Sequence, residues 1–353
     1  MDERAAWLGI GLNQEVWRYC RHISDRDVIG LYTKTPVQMA QVLRVGEETA
    51  AHILTVLRKT DLQAQERKLT KLGIDFITRA EKAYPTSLKQ IHDPPAVLFI
   101  KGSLQSVNQH VAIVGSRKCT EYGRMVAQEM GAALAEAGIT IVSGMARGID
   151  TAAHKGALKT GRTIAVFGSG VENVYPPENR ELAVKISQAG ALISEYPPGT
   201  SVRPLNFPAR NRIISGLSKV LVIVEASRKS GALITADFAL EQGKDIMVVP
   251  GSVRSATSGG CHRLIKEGAA VAESADDVLE LLGLEAGTSP EMQLELSAQE
   301  VRLLSLIDYY KTHVDMIIER DGRENLEILS ELTLMEARGL VCRHAGGWYS
   351  RTK

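Results

Sequence analysis

The segment VAIVGSR at Val111–Arg117 joins four apolar residues to a tight polar turn, and a helical pattern follows it over Thr120–Ala137. A short apolar run bounded by turn residues is typical of a strand that is buried on both faces of a sheet. Gly115 lets the backbone turn sharply. Ser116 and Arg117 then precede the helix, where free N–H groups, the helix dipole and a guanidinium all favour a phosphate. The segment therefore predicts a phosphate-binding edge of a parallel sheet.

The alternation of strand and helix patterns continues to about residue 282. The candidate strands are Val111–Val114, Thr140–Ser143, Thr163–Phe167, Ala191–Ser194, Lys219–Glu225 and Asp245–Val249. This alternation predicts an α/β fold, a Rossmann-like parallel sheet with helices on both faces, whose ligands lie beyond the carboxyl ends of the strands. Ser/Gly turns follow four of these strands, and the last of them adds Lys229, Ser230 and Gly231 to the predicted site.

Different patterns flank this core. Residues 1–80 predict an all-α domain, in which Gly46 either forms a phosphate-binding helical hairpin or, more simply, ends a helix. Residues 81–283 hold an approach strand and the core. Residues 284–296 contain glycine and proline without a clear period, which indicates a linker. Residues 297–353 predict three helices and a β-hairpin, the pattern of a winged helix.

Composition excludes several classes of protein. Lysine and arginine number 42 against 41 aspartates and glutamates, so nucleic-acid binding would have to depend on a local patch. The four cysteines are far apart, which argues against a zinc site and against disulfides and fits a reducing cytosol. No apolar run approaches the ~20 residues of a membrane span. We therefore expect a cytoplasmic protein that holds no metal or cofactor and does not enter a membrane.

The strongest local patch covers residues 201–230, with six basic residues and one acidic residue. Within it, Arg210 and Arg212 follow the aromatic Phe207 in a loop that enters a helix. Two guanidiniums beside a stacking platform suit single-stranded nucleic acid. The simpler alternative is that both arginines pair with buried carboxylates and hold loops in place. The carboxylates available for such pairs are those of Asp150, Glu195 and Glu225.

Catalytic motifs are missing from the sequence. It has no G-x-x-x-x-G-K-[ST] loop, no G-x-S-x-G elbow and no complete dinucleotide fingerprint. Asp150 is predicted to cap a helix that begins at Thr151, and His154 to be a structural residue. We therefore expect a binding protein.

The third helix pattern of this segment, the last before the terminal hairpin, is acidic. It carries Glu324, Glu327, Glu331 and Glu336. Because phosphate repels such a surface, the winged helix is predicted to have a protein-contact or regulatory role and not to read DNA. Its apolar residues are expected to be mostly core. These residues are Leu326, Ile328, Leu329, Leu332, Leu334 and Met335.

The central motifs resemble those of the DprA/Smf family of DNA-processing proteins. The matching segments are VAIVGSR, SGMARGIDTAAH (Ser143–His154), TIAVFGSGVENVYP (Thr163–Pro176), SEYPPG (Ser194–Gly199), FPARNRIISG (Phe207–Gly216) and VEASRKSGALITA (Val224–Ala236). The resemblance implies a SAM-like helical domain, an extended Rossmann domain and a winged helix. It also implies a homodimer, formed through the Rossmann domain, that binds and protects single-stranded DNA and loads the RecA recombinase during natural transformation and homologous recombination, without catalytic activity.

Carried over by position, the resemblance implies a DNA site. It consists of Gly115, Ser116, Arg117, Phe207, Arg210, Asn211 and Arg212, with Arg203 as a nearby basic contributor. Two positions depart from the family pattern. Pro177 follows Tyr175-Pro176 where many relatives carry a basic residue, and His262 belongs to a segment where relatives carry asparagine. The alternative function is that of a phosphoribohydrolase with a similar core, but its G-G-x-G-T pattern does not follow Pro250-Gly251.

Overall fold

The computed structural model describes residues 2–25, 27–104, 109–284, 297–308, 311–338 and 340–351. The chain divides into two compact units, Met1–Ala286 and Gly287–Lys353. Within the described ranges, no helix combines the length and the hydrophobicity that crossing a membrane requires.

A nine-stranded sheet forms the centre of the first unit. Its strands are β1 (Asp75–Thr78), β2 (Val97–Gly102), β3 (His110–Val114), β4 (Thr140–Ser143), β5 (Thr163–Phe167), β6 (Ala191–Ser194), β7 (Val220–Ile223), β8 (Asp245–Val248) and β9 (Ala270–Val271). They lie in the order β1-β2-β6-β5-β4-β3-β7-β8-β9. The strands from β3 to β9 pair in parallel, as predicted. The approach strand β2 pairs antiparallel with β6 and with β1, so the sheet is mixed at one edge.

Helices cover both faces of this sheet. They are α7 (Thr86–Lys89), α8 (Glu121–Glu136), α9 (Ile149–Thr160), α10 (Arg180–Ala189), α11 (Asn206–Leu217), α12 (Ala232–Glu241), α13 (Gly259–Lys266) and α14 (Ala275–Leu281), with a 3-10 turn at Pro177–Asn179. In β3, Ala112 packs in the core on the α11 and α12 side, and Ile113 packs in the core on the α8 and α9 side. Burial on both faces explains why apolar residues run consecutively in this strand.

The strand order reverses beside β3. Strands β4, β5 and β6 extend the sheet on one side of β3, and β7, β8 and β9 extend it on the other. At such a switch point the connections leave in opposite directions and open a crevice beyond the carboxyl ends of the strands. This crevice lies at the turn that follows Val114.

The described residues before β1 form six helices. They are α1 (Glu3–Gly11), α2 (Gln14–Cys20), α3 (Val28–Leu31), α4 (Pro36–Leu43), α5 (Glu47–Lys59) and α6 (Leu62–Leu72). Between α4 and α5 the left-handed residue is Arg44, with φ 55°, and Gly46 is the N-cap of α5 with φ −67°. The predicted end of α4 at Gly46 was therefore two residues late. The SAM-like assignment and the boundary at residue 80 stay predictions, since these helices belong to the same compact unit as the sheet.

The described part of the second unit, within residues 297–351, contains three helices and a small sheet. The helices are α15 (Ala298–Leu306), α16 (Val314–Asp321) and α17 (Asn325–Ala337), and the strands are β10 (Thr312–His313), β11 (Val341–His344) and β12 (Trp348–Arg351). Ser297 and Glu300 form a capping box at the start of α15. The strands pair antiparallel in the order β10-β12-β11. The predicted combination of an α/β core and a winged helix is confirmed.

Candidate nucleic-acid interface

An open groove of about 740 Å³ lies at the switch point of the sheet. Its walls are the turns after β3, β4 and β7, the loop before α13 and the first turns of α11. Eight of the predicted site residues line it: Gly115, Ser116, Arg117, Phe207, Arg210, Asn211, Ser230 and Gly231. We call it the first groove.

Two glycines fix the turn that carries Arg117. A Cβ on Gly115 would lie 2.7 Å from Cγ1 of Ile149 and 2.9 Å from the carbonyl oxygen of Glu225. Gly148 has φ +76°, and a Cβ there would lie 2.2 Å from the carbonyl oxygen of Ser116. Side chains at these positions would push the turn after β3 away from the start of α9. The glycines therefore set the position from which Arg117 reaches the groove.

Arg117 and two aromatic rings form the exposed surface of the first groove. The Arg117 guanidinium carbon lies 5.5 Å from the centre of the Phe207 ring. The rings of Phe207 and Tyr175 are 5.7 Å apart and tilted by 44°. Arg117 is exposed and forms no ion pair with any residue that the structure describes. The arrangement offers a cation to a phosphate and an aromatic face to a base.

Tyr175 and Lys118 are among the lining residues that sequence reasoning did not include in the site. Lys118 directly follows Arg117 in the turn and is exposed. Tyr175 precedes a cis peptide bond to Pro176. The signal for Lys118 was its place beside Arg117, whereas no local pattern could bring Tyr175 against Phe207.

Arg210 corrects the prediction of a phosphate clamp. Its side chain is buried, with an exposed fraction of 3%. Its Nη1 donates hydrogen bonds to the carbonyl oxygens of Gly144, at 2.8 Å, and of Val166. Burial lowers the pKa of Arg210 to about 10, and the nearby carboxylate of Asp150 opposes that shift. Arg210 therefore ties the ends of β4 and β5 together beneath the groove.

Arg212 corrects the same prediction. Its exposed fraction is 7%, and its two terminal nitrogens donate to the Glu195 carboxylate at 2.7 and 2.6 Å. Its Nε donates to the carbonyl oxygen of Asp93 at 2.9 Å. This is the simpler alternative considered above, an arginine paired with a core carboxylate. A guanidinium held in this way is not available to a phosphate in the first groove.

The buried titratable groups under the groove are structural. Helix α9 begins at Ile149, so Asp150 lies in its first turn and does not cap it as predicted. Its Oδ2 accepts hydrogen bonds from the amides of Gly144 and Ala146, and burial raises its pKa to about 6. Burial lowers the pKa of His154 to about 3, and its Nδ1 lies 2.7 Å from the hydroxyl of Thr163.

Glu225, the third carboxylate proposed as a partner of the arginines, binds elsewhere. It accepts hydrogen bonds from the amide and hydroxyl of Thr120 at 2.9 and 2.6 Å, and from the hydroxyl of Thr257 at 3.2 Å. These bonds join the start of α8 to the loop before α13. Glu225 thus positions two walls of the groove.

The remaining basic residues of the 201–230 patch are dispersed. Arg203 is exposed but lines a different groove. Lys229 is exposed in the turn beside Ser230 and is not part of the wall of the first groove. Lys219 precedes β7, at the opposite edge of the sheet. The patch that composition indicated is therefore not one surface.

The two departures from the family pattern have different surroundings. Pro177 begins the 3-10 turn, and Glu178 within that turn pairs with Arg147. Arg147 lines a small recess together with Tyr175 and Phe207, and its charge there is paired with that of Glu178. His262 Nε2 lies 2.9 Å from the carbonyl oxygen of Gly251 and does not line the first groove.

The outer face of α17 has few groups that could bind a phosphate. Leu326, Leu334 and Leu329 are 73%, 64% and 39% exposed, which corrects the expectation that they belong to the core. The other three apolar residues, Ile328, Leu332 and Met335, are buried as expected. Both arginines that flank the helix are paired. Arg323 binds Asp321 at 2.6 Å and Glu331 at 2.9 Å, and Arg338 binds Glu300. That this helix does not contact DNA stays a prediction.

Comparison with known proteins identifies two matching family models. The model of DNA recombination-mediator protein A matches residues 75–283, and that of the DprA winged helix domain matches residues 287–347. DNA processing protein DprA of Streptococcus pneumoniae is 44% identical over 69% of this chain and 93% of its own length. Protein Smf of Escherichia coli is 38% identical over 75% of this chain and 74% of its own length.

Two solved structures are also similar. The X-ray structure of DprA from S. pneumoniae matches 76% of this chain and 97% of its own with a TM-score of 0.61 and 34% identity. DNA processing protein A from Helicobacter pylori, described for its single-stranded DNA binding mode, matches 59% of this chain and 95% of its own, with a TM-score of 0.55 and 29% identity.

Proposed function

The chain belongs to the DNA recombination-mediator protein A family, and from this premise we propose that it binds single-stranded DNA in the first groove. The observation that carries the proposal is the exposed Arg117 guanidinium held against the Phe207–Tyr175 platform at the switch point. A strand without a partner presents both a charged backbone and unstacked bases. The described binding mode of the H. pylori relative supports this proposal.

The roles of the residues follow from their positions. Ser116, Arg117 and Lys118 present donors and charge to the phosphates, and Phe207 with Tyr175 stacks a base. Asn211, Ser230 and Gly231 complete the wall. Arg210 and Arg212 act as positioning residues, because both are buried and donate hydrogen bonds to the core: Arg210 to backbone carbonyls and Arg212 to the Glu195 carboxylate.

A direct test compares labelled oligo-dT with a duplex of equal length by fluorescence anisotropy. We expect tighter binding of oligo-dT, with an affinity that falls steeply with salt and depends little on sequence. Equal affinity for the duplex at every salt concentration would contradict the proposal.

We further propose a binding role and not a catalytic one. Asp150 and His154 are engaged in structural hydrogen bonds. Incubation with nucleoside monophosphates should release no free base, whereas release by this chain would favour the phosphoribohydrolase alternative.

The finer family role is part of the proposal. We infer that the protein acts in the cytoplasm during transformation and homologous recombination, protects incoming single strands and loads RecA. We also infer a homodimer through the Rossmann domain. The exposed Leu240 of α12, a helix that packs against β8, and the exposed Val271 of the edge strand β9 supply apolar surface for it. Sedimentation of Leu240→Glu should show a shift toward the monomer.

A further inference from the structure

A second groove, also of about 740 Å³, lies in the first unit between helix α2 and the core. Trp17, Arg18 and Arg21 of α2 and its C-terminal end line one wall. Arg203, Asn206 and Arg212 are among the core residues that line the other. Arg203, which sequence reasoning placed with the predicted DNA site, therefore belongs to this second groove.

One segment separates the two grooves. Arg203, Asn206, Ala209 and Arg212 face the second groove, and Pro204, Phe207, Pro208 and Asn211 face the first. A spacing of three to four residues is the period of a helix, so opposite faces of the start of α11 line different grooves. Leu205, which precedes α11, is 86% exposed. We call residues 203–212 the ridge.

The charge of the second groove is positive once its ion pairs are counted. The carboxylates of Asp93 and Glu195 are neutralised by Arg21, at 3.2 Å, and by Arg212. Arg18 and Arg203 are exposed and form no ion pair with residues that the structure describes. Glu241 is the remaining acidic residue of the lining. The lining thus has two guanidiniums outside ion pairs, those of Arg18 and Arg203, against the one remaining carboxylate of Glu241.

Polar groups without partners also lie in this lining. The indole N–H of Trp17 is buried, with a residue exposure of 4%, and has no hydrogen-bond partner within the described chain. The amide oxygen of Gln242 is likewise unpartnered, while its nitrogen donates to the carbonyl oxygen of Arg212 at 3.0 Å. Unsatisfied buried polar groups are rare in folded proteins, and a bound water or ion is one way to satisfy them.

We propose that the second groove binds a further segment of the same single strand. The strand leaves Arg117 and Phe207, crosses the ridge with a base against Leu205, and reaches Arg203 and Arg18. The ligand is the sugar–phosphate backbone of an unpaired polynucleotide, because both cations are exposed at an open groove that shares a wall with the first. This inference rests on the proposed function, and it gives the N-terminal helices a part in DNA binding through α2.

The test is the length of DNA that each variant can hold. Full-length Arg18→Ala/Arg203→Ala is titrated with oligo-dT of about 5 and about 16 nucleotides, which span the usual site sizes for single strands. On the long oligonucleotide we expect affinity to fall on the order of tenfold and the salt slope to fall by about 1.4, since each lost phosphate contact removes about 0.7. On the short one, affinity should stay within about twofold.

Two comparisons make the result specific. The matched control, Lys155→Ala/Lys159→Ala, removes two exposed charges of α9 that line neither groove and should bind both oligonucleotides normally. Leu205→Ala should weaken only the long oligonucleotide, with no change in salt slope. Because Arg18, Arg203 and Leu205 are exposed, thermal melts of these variants should match the parent.

The outcomes separate this inference from the proposed function. If Arg18→Ala/Arg203→Ala binds the long oligonucleotide as the parent does, or weakens both lengths equally, the second groove does not hold the strand. If Arg117→Ala still weakens both lengths in that case, the first groove stands by itself. If Arg117→Ala changes neither length, the proposed function fails as well.

Discussion

Replacing Arg117 by alanine removes the exposed guanidinium that faces the first groove and leaves the turn intact. The turn itself depends on Gly115 and Gly148, whose backbone contacts the change does not touch. A hydrogen bond to a charged group contributes about 1.5–3 kcal/mol. Because each 1.4 kcal/mol is about a factor of ten, Arg117→Ala should weaken oligo-dT binding by roughly ten- to one hundred-fold.

The contact between Arg117 and Phe207 refines this magnitude. At 5.5 Å from the ring centre, the guanidinium lies within the range of a cation–π interaction, which is worth about 0.5–1 kcal/mol at an exposed site. Loss of one phosphate contact should also lower the slope of log affinity against log salt by about 0.7. Arg117→Lys keeps the charge but not the planar donor pair, so it should keep the slope and lose part of the affinity.

The measurement is fluorescence anisotropy of labelled oligo-dT over a series of salt concentrations. Lys155→Ala, an exposed charge of α9 outside both grooves, is the matched control and should match the parent. If Arg117→Ala kept both the parent's affinity and its salt slope, Arg117 would not contact phosphate and the reasoning would be refuted.

Four further changes test other parts of the structure. Phe207→Ala should cost about 1–3 kcal/mol of oligo-dT binding without changing the salt slope, since it removes stacking and no charge; a changed slope would contradict this. Arg212→Ala leaves the Glu195 carboxylate buried and unpaired and should lower the free energy of unfolding in urea by about 3–5 kcal/mol, and a loss below 1 kcal/mol would argue against the pair. The folded state lowers the pKa of His154 from 6.5 to about 3, so its contribution to stability is complete above pH 6.5 and is lost as pH falls toward 3. His154→Gln should therefore flatten urea stability over that range, and an unchanged pH profile would show that the imidazole is not buried uncharged. Deleting residues 287–353 should leave oligo-dT affinity within about twofold, because the first groove lies wholly in the first unit; a large loss would assign DNA contacts to the winged helix.

The parallel core could be predicted because its strands are fully buried. Val111–Val114 and the other predicted strands are apolar runs between turn residues. Such runs can be recognised in the sequence without knowing which strands pair with them. The antiparallel pairing of β2 with β6 could not be predicted, because no local pattern specifies which edge a strand joins. Strands β9 and β10 have two residues each, too few to show a period.

Some residues of the candidate site could also be predicted from the sequence, and others could not. Arg117 could be placed because the turn that follows a buried strand lies at the carboxyl edge of the sheet. Arg210 and Arg212 could not be placed from their spacing as a pair, because residues two apart on a helix point about 200° away from each other. Composition alone does not show which of the two arginines forms an ion pair with a buried carboxylate. In the structure, Arg212 pairs with Glu195.

Strand β2 joins the N-terminal helices to the sheet. Trp7 of α1 and Phe99 of β2 belong to one apolar core, and a Cβ on Gly11 would lie 2.5 Å from Val97. The N-terminal helices therefore cannot be deleted without cost, because a shortened protein would expose apolar side chains of β2 to water. We expect both parts to melt in a single calorimetric transition, so that a substitution that destabilises α1 would also destabilise the sheet that carries the first groove.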